Sequence, residues 1–250
     1  MKKIIYAILL TNQSHAKISD LVNGMKGILD ADIYILSSND ISMAVSDFTL
    51  SREATNRELA IDFARVIEAL FQQVTLLPVR FGTYIKSDEI VYQLLTNHYD
   101  SFLRNLQKVE HKCEFGLKVL CDYDTFSEKI SAKAAAVEVQ PTEYFSTNTI
   151  YTNYLLEKIK KNKLEDSLFK YVEQLIEDIS LHLTQINPHS KFKKMVTNSI
   201  LLDAVFLVEK NKKDEFIQAI SIFKQQHDDL QFLLTGSWPP YGFVDIAIES

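Results

Sequence analysis

The chain has 250 residues, 27 Lys+Arg against 33 Asp+Glu and a formal net charge of −6, with 46% hydrophobic residues, so it reads as one or two soluble globular domains. A net negative charge without a long basic run argues against a nucleic-acid-binding surface, which needs clustered Lys and Arg to release counterions. Only 6 Gly and 5 Pro occur, and neither G-x-x-x-x-G-K nor G-x-G-x-x-G can be written from them, so no phosphate-cradling loop is expected.

In chain order, Ile4–Leu10 is a short apolar run that predicts a strand buried on both faces, being too short for a spanning helix and lacking a convincing cleavage site. Ser14 to Leu29 carries Ile18, Leu21, Val22, Met25 and Leu29 at spacings of 3 and 4, which predicts a helix capped by Ser14. Asp32–Leu36 and Ile41–Phe48 are β-rich, joined by a polar turn over Ser37–Asp40. Arg52 to Val74 reads as a helix whose apolar face includes Leu59, Ile61, Phe63, Val66, Ile67, Leu70, Phe71 and Val74, with Ser51 as its cap. Thr75–Ile85 reads as a strand; Pro78 suits a sheet edge, where a missing N–H is tolerated. That order is the β-α-β-β-α-β of a ferredoxin-like sheet, followed by an added helix over Ser87–Val109.

The pattern recurs. Phe115–Cys121 reads as a strand, a capped region follows Asp124, and Tyr144–Ile179 is a long helical tract. His182–Ser190 and Ile200–Glu209 are expected to pair antiparallel, followed by a helix over Asp214–Gln226, a strand over Asp229–Thr235 and a last apolar stretch, Phe243–Ile248. The expected fold is therefore α+β in two domains: residues 1–110, a ferredoxin-like sheet with helices on one face plus the added helix, and residues 111–250, an α+β domain that repeats a modified unit of this kind with a long helix.

Catalytic and metal-binding patterns are sparse. His15, His98, His111, His182, His189 and His227 include no i,i+3 or i,i+4 pair for a helical metal site, and no G-x-S-x-G elbow occurs. Asp122-Tyr123-Asp124 reads either as a metal-holding carboxylate pair or as a turn in which Asp124 caps a helix. Cys113 and Cys121 on one strand would lie about 26 Å apart, so they read as free thiols of a reducing, cytosolic compartment. No enzyme activity, cofactor or metal is expected.

Two segments stand out by composition. In Leu76-Leu77-Pro78-Val79-Arg80-Phe81-Gly82-Thr83, a lone Arg80 among apolar residues reads as a cap on a helix C-terminus or as the specificity residue of an edge that accepts a partner strand. The second, Thr235-Gly236-Ser237-Trp238-Pro239-Pro240-Tyr241-Gly242-Phe243, holds the sole Trp beside two prolines. It reads as a rigid turn packing Trp238 between domains, or as an interface anchor. Candidate partner-binding residues are Pro78, Arg80, Phe81, Gly82, Gly236, Trp238, Pro239, Pro240, Tyr241 and Phe243.

These two segments resemble the signatures of the gas vesicle protein L/F family, L-P-x-R-F-G-T and T-G-P-W-P-P-Y-x-F, with Ser237 where the family usually has proline. The resemblance extends to the strands around Glu114–Val119 and Ala204–Val208. It implies a non-enzymatic accessory or minor structural protein of gas vesicle formation, found at the gas vesicle with a cytoplasmic pool. Its partners would be the very hydrophobic shell protein, whose aggregation it would limit during nucleation, and other gas vesicle accessory proteins; neither nucleic acid nor a lipid membrane is implied. Two other readings stand beside it: a permanent wall component without that role, and a ferredoxin-like small-molecule-binding regulatory module.

Overall fold

The computed structural model describes residues 2–11, 20–49, 55–122, 128, 150–186, 188–194 and 200–244. The chain divides into two compact units, one of residues 1–114 with 237–250 and the other of residues 115–236.

The first unit is built on β1 (Lys2–Leu10), β2 (Ile33–Ser38), β3 (Ile41–Phe48) and β4 (Leu76–Pro78). Their order in the sheet is β2-β3-β1-β4, and β5 (Tyr84–Ile85) also pairs with β1. All of these pairings are antiparallel, which is the ferredoxin-like order expected of a β-α-β-β-α-β chain. Every residue from Ile4 to Leu9 is 0% exposed, and successive side chains on a strand point to opposite faces, so both faces of the sheet are covered.

Helix α1 (Asn56–Phe71) covers one face with Leu59, Phe63, Val66, Ile67 and Leu70, and its Phe63 ring stacks 5.1 Å from that of Tyr6. The Tyr6 hydroxyl pairs with Ser46 on the same face (2.9 Å). The next residue of β3, Asp47, points the other way and takes the ammonium of Lys3 at 2.6 Å. That ammonium also lies 3.3 Å from Asp88, the first residue of helix α2 (Asp88–Asn97). Helix α3 (Tyr99–Val109) follows, burying Phe102, Leu106 and Val109. The added helical segment thus supplies the cover for the face that α1 leaves open.

Several expected boundaries shift for local reasons. Helix after Ser14 is described only at residues 20–22 and does not reach Leu29: Gly24 takes a left-handed φ of 74°, and Ile28–Asp30 form a separate 3-10 turn. Ser14 itself lies outside the described residues, as does Ser51. The cap of α1 is Thr55, whose side chain accepts from the Glu58 N–H while Glu58 reaches back to the Thr55 N–H, a capping box. Ile61, placed on the apolar face by spacing, is 49% exposed. The helix over Ser87–Val109 is two helices broken at His98 (φ −112°).

The second unit contains most of β6 (Lys112–Leu120), then α4 (Ile150–His182), β7 (His189–Lys194), β8 (Ile200–Glu209), α5 (Lys213–Gln225) and β9 (Gln231–Trp238). Its sheet order, β7-β8-β6-β9, repeats that of the first unit, as expected of a second β-α-β-β-α-β segment. Leu168, Val172, Leu175 and Ile179 form the buried stripe of α4, and Phe216 of α5 packs its ring 4.9 Å from Phe115 and 5.3 Å from Phe206. The strand expected from His182 starts only at His189; His182 ends α4 and donates through Nε2 to the Ala219 carbonyl (2.9 Å). Strand β7 does pair antiparallel with β8, from His189 opposite Leu207 to Lys194 opposite Leu202. Apart from residue 128, the region after Asp124 lies outside the described residues up to residue 149, as does Ile248.

Candidate partner-binding site

The first conspicuous segment occupies the edge of the first sheet. Leu76, Leu77 and Pro78 pair with Leu9, Ile8 and Ala7, and the Val79 N–H still donates to the Tyr6 carbonyl at 3.0 Å. The chain then leaves the edge in a turn over Arg80–Thr83, closed by the Thr83 N–H on the Arg80 carbonyl (3.2 Å) and reinforced by the Thr83 hydroxyl (2.9 Å). Gly82 occupies the third position of that turn with φ 90°, a conformation that favours glycine. The turn splits the strand expected over Thr75–Ile85 into β4 and β5. Pro78 and Val79 are buried, Phe81 is half-buried with its ring edge-on to Phe63 (5.5 Å), and Arg80 and Gly82 are exposed. A three-residue strand ending in proline offers a partner little ladder, so this segment presents a guanidinium outward rather than a strand edge.

The second segment separates anchors from outward groups. Gly236, with φ 129°, bends the end of β9 and leads into Trp238, which is 43% exposed. Pro239, Pro240 and Phe243 are buried, whereas Tyr241 between them keeps 46% of its surface open. The turn is closed by the Tyr241 N–H on the Pro239 carbonyl (2.8 Å) and the Phe243 N–H on the Pro240 carbonyl (3.2 Å). Glu114 accepts from the Gly242 N–H at 2.6 Å, and Lys108 donates to the Phe243 carbonyl at 3.3 Å. The Tyr241 phenol is pushed up to about 12, first by burial and then by the negative charges of Glu68 and Glu114, so it stays a neutral donor at ordinary pH.

Both segments border α1, Phe81 at Phe63 and Tyr241 near Glu68. Sequence reasoning singled out the aromatic and proline residues but gave no role to Glu114 or Lys108. The available signal was a carboxylate inside the apolar string Cys113-Glu114-Phe115: a buried charge must find donors, and Glu114 is only 8% exposed.

Other candidates gain less. Asp124 lies outside the described residues, and among those described no group of three or more His, Cys, Asp or Glu is placed to hold a metal ion. Cys113 and Cys121 are both buried, and burial, then Asp122, pushes the Cys121 thiol up. Among the described residues no helix is long and apolar enough to cross a membrane.

Two ferredoxin-like sheets in one chain, with a turn of buried prolines that leaves two aromatics exposed, define a two-unit α+β protein. The chain belongs to the gas vesicle synthesis protein GvpL/GvpF family, whose model matches residues 2–245. It is 24% identical over 233 residues to gas vesicle protein F1 of Halobacterium salinarum, covering 92% of this chain and 89% of that protein. It is 21% identical to gas vesicle protein F of a Streptomyces species, over 98% of this chain and 100% of that protein. The crystal structure of GvpF from Anabaena superimposes with a TM-score of 0.75 at 19% identity, covering 100% of this chain and 98% of that one. That of GvpF from Microcystis aeruginosa gives the same TM-score, 0.75, at 19% identity over 98% of this chain and 99% of that one. The fold is thus that of the GvpF structures, and the family is one of gas vesicle synthesis proteins rather than of enzymes.

Proposed function

We propose that this protein is a non-enzymatic assembly factor of gas vesicles that binds the hydrophobic shell protein before it enters the wall and limits its aggregation. The observation that carries the reading is the exposure of Trp238 and Tyr241 on a turn held by buried Pro239, Pro240 and Phe243. Large aromatics that stay exposed on a rigid base lose little conformational entropy on contact, which is the character of interface hot spots. Membership of a gas vesicle synthesis family supports this choice of partner: a shell subunit that will face gas would expose apolar surface until it is assembled, and such surfaces self-associate. Binding the unassembled subunit lowers the free concentration available for aggregation. The protein then acts at the growing vesicle, drawing on a cytoplasmic pool, and meets other gas vesicle proteins there.

The test is a binding and turbidity assay with shell protein freshly diluted from denaturant, titrated with this protein and with Trp238→Ala and Arg80→Ala. Direct binding with suppressed turbidity is expected, Trp238→Ala weakening affinity by about tenfold or more, some 1.4 kcal/mol or above. Folded variants that bind as tightly as the parent would sink the assignment of these residues. A protein that leaves turbidity untouched yet stays with washed vesicles would be a wall component instead.

A further inference from the structure

Exposed sheet edges invite pairing with other chains, and folded proteins commonly guard them with charges. The two sheets end on β2, β4, β7 and β9. Strand β4 is three residues long, and neither it nor β2 nor β9 holds a charged residue. Charge is confined to β7, His189-Ser190-Lys191-Phe192-Lys193-Lys194, which carries three lysines in a chain of net charge −6.

The register with β8 sorts these residues by face. Phe192 lies opposite Ala204 and sets its ring edge-on to Phe206 at 5.6 Å, and Phe206 in turn meets Phe216 of α5 at 5.3 Å. Ser190, Phe192 and Lys194 therefore lie on the helix side of the sheet, where Lys194 pairs with Glu173 of α4 at 2.6 Å. His189, Lys191 and Lys193 lie on the other side, and all three are exposed. Among the described residues Lys193 makes no hydrogen bond or ion pair, not even with Asp203 directly opposite on β8. On the helix side, beside β7, runs a groove of about 200 Å³ lined by the apolar groups of Phe192, Phe206, Leu183 and Pro188 and by Ser180 and Thr184. Both hydroxyls donate to carbonyls of α4, Ser180 to Ile176 and Thr184 to Leu181, each at 2.7 Å, so neither requires a hydrogen-bond acceptor from a ligand. Among the described residues β8 is the sole sheet neighbour of β7, and no backbone–backbone hydrogen bond outside that pairing reaches it.

We propose that β7 is a docking edge for a strand of a partner protein in which acidic and apolar residues alternate. An added strand puts alternate side chains on the two faces of the sheet. Carboxylates then stand beside Lys191 and Lys193, while the residues between them stand beside Phe192 and enter the groove. Two independent observations select this occupant. Cations on one face favour carboxylates and repel a basic strand. The groove on the other face takes a side chain as large as leucine, which a purely acidic segment or a nucleic acid leaves unfilled. A second copy of this chain is disfavoured, because its own edge strands β2, β4 and β9 hold no acidic residue to set against the lysines. The edge and the groove lie wholly within the second unit, so the inference goes beyond the assembly-factor reading and does not depend on it.

The experiment is hydrogen exchange and calorimetric titration on the full chain with three capped peptides, E-L-E-V-E-L, K-L-K-V-K-L and E-S-E-S-E-S. The acidic-apolar peptide is expected to slow amides of His189–Lys194 by about tenfold or more, and to bind about tenfold more tightly than either of the others. Its affinity should fall with added salt. The double variant Lys191→Glu, Lys193→Glu should reverse the order of the E-L-E-V-E-L and K-L-K-V-K-L peptides. Absence of protection in β7, equal binding of the three peptides, or an unreversed order in the folded variant overturns the inference. An oligouridylate that protects β7 as well as the peptide does assigns the face to polyanions at large and overturns it too. Protection that grows with this protein's own concentration, without peptide, assigns the edge to a second copy with the same consequence. Should the double variant misfold, the peptide comparison on the parent decides alone.

Discussion

Tyr6 shows how one side chain can dictate its neighbours. It sits in β1 where the register with β3 shifts, Ile5 facing Val45 and Ala7 facing Ala44, so it is the extra residue of a β-bulge. Its hydroxyl is buried, pairs with Ser46 Oγ at 2.9 Å and accepts from the Ile28 N–H at 2.9 Å; burial pushes the phenol up, so it stays protonated in this role. A Cβ on Gly27 would collide with that hydroxyl, so glycine is required here by close approach. Gly27→Ala is therefore expected to cost about 1–3 kcal/mol, because the hydroxyl it displaces is held from two sides. Tyr6→Phe alone should cost about 1–3 kcal/mol by stranding the Ile28 N–H. In the double variant the nearest clashing atom is gone, so its loss should fall below the sum of the single losses in urea unfolding. Strict additivity would show that the hydroxyl is not what excludes a side chain at residue 27.

Elements are tied to one another by a polar cluster around Lys3. Its ammonium, on β1, meets Asp47 of β3 at 2.6 Å, Asp88 of α2 at 3.3 Å and the ring of Tyr34 of β2 at 5.3 Å from its centroid. The hydrogen bond to Asp47 is the chief cause that holds Lys3 above its ordinary 10.5, followed by that to Tyr34, with burial opposing. Because the folded value lies above the unfolded one, the stabilisation is fully present below pH 10.5 and is lost as pH rises through the folded value. Unfolding midpoints measured from pH 9 upward should thus fall more steeply for the parent than for Lys3→Met; parallel curves would remove Lys3 from the alkaline loss. Nothing in the sequence marked this cluster, since its members are 44 and 54 residues apart along the chain. Local patterns did reveal the elements. An unbroken apolar run marks β1 and a β-rich composition marks β3, and the capping pair Thr55 and Glu58 stands four residues beyond Ser51. Apolar spacing continued past Gly24 and so overran the first helix, and it gave no sign of the break at His98. The candidate site was legible as a motif, whereas its division into anchors and outward groups depends on Glu114, 128 residues away from Gly242.

On the scale of the whole molecule, the second unit, residues 115–236, is an insertion in the first, because residues 237–250 belong with residues 1–114. The Trp-Pro-Pro-Tyr segment therefore has two separable duties. Phe243, 2% exposed, and the buried prolines complete the core of the first unit, while Trp238 and Tyr241 keep 43% and 46% of their surfaces open. Phe243→Ala should cost about 3–5 kcal/mol, the range for emptying a buried aromatic position. The loss should be confined to the first unit: exchange protection at Ile4–Leu9 in β1 should drop, and that at Leu201–Val208 in β8 should hold. Trp238→Ala, by contrast, should leave both sets of amides within about 0.5 kcal/mol of the parent. Equal losses in β1 and β8 for Phe243→Ala would mean that the units unfold as one. A loss in β1 for Trp238→Ala would make the tryptophan a folding residue, and its effect on partner binding could then no longer be ascribed to direct contact.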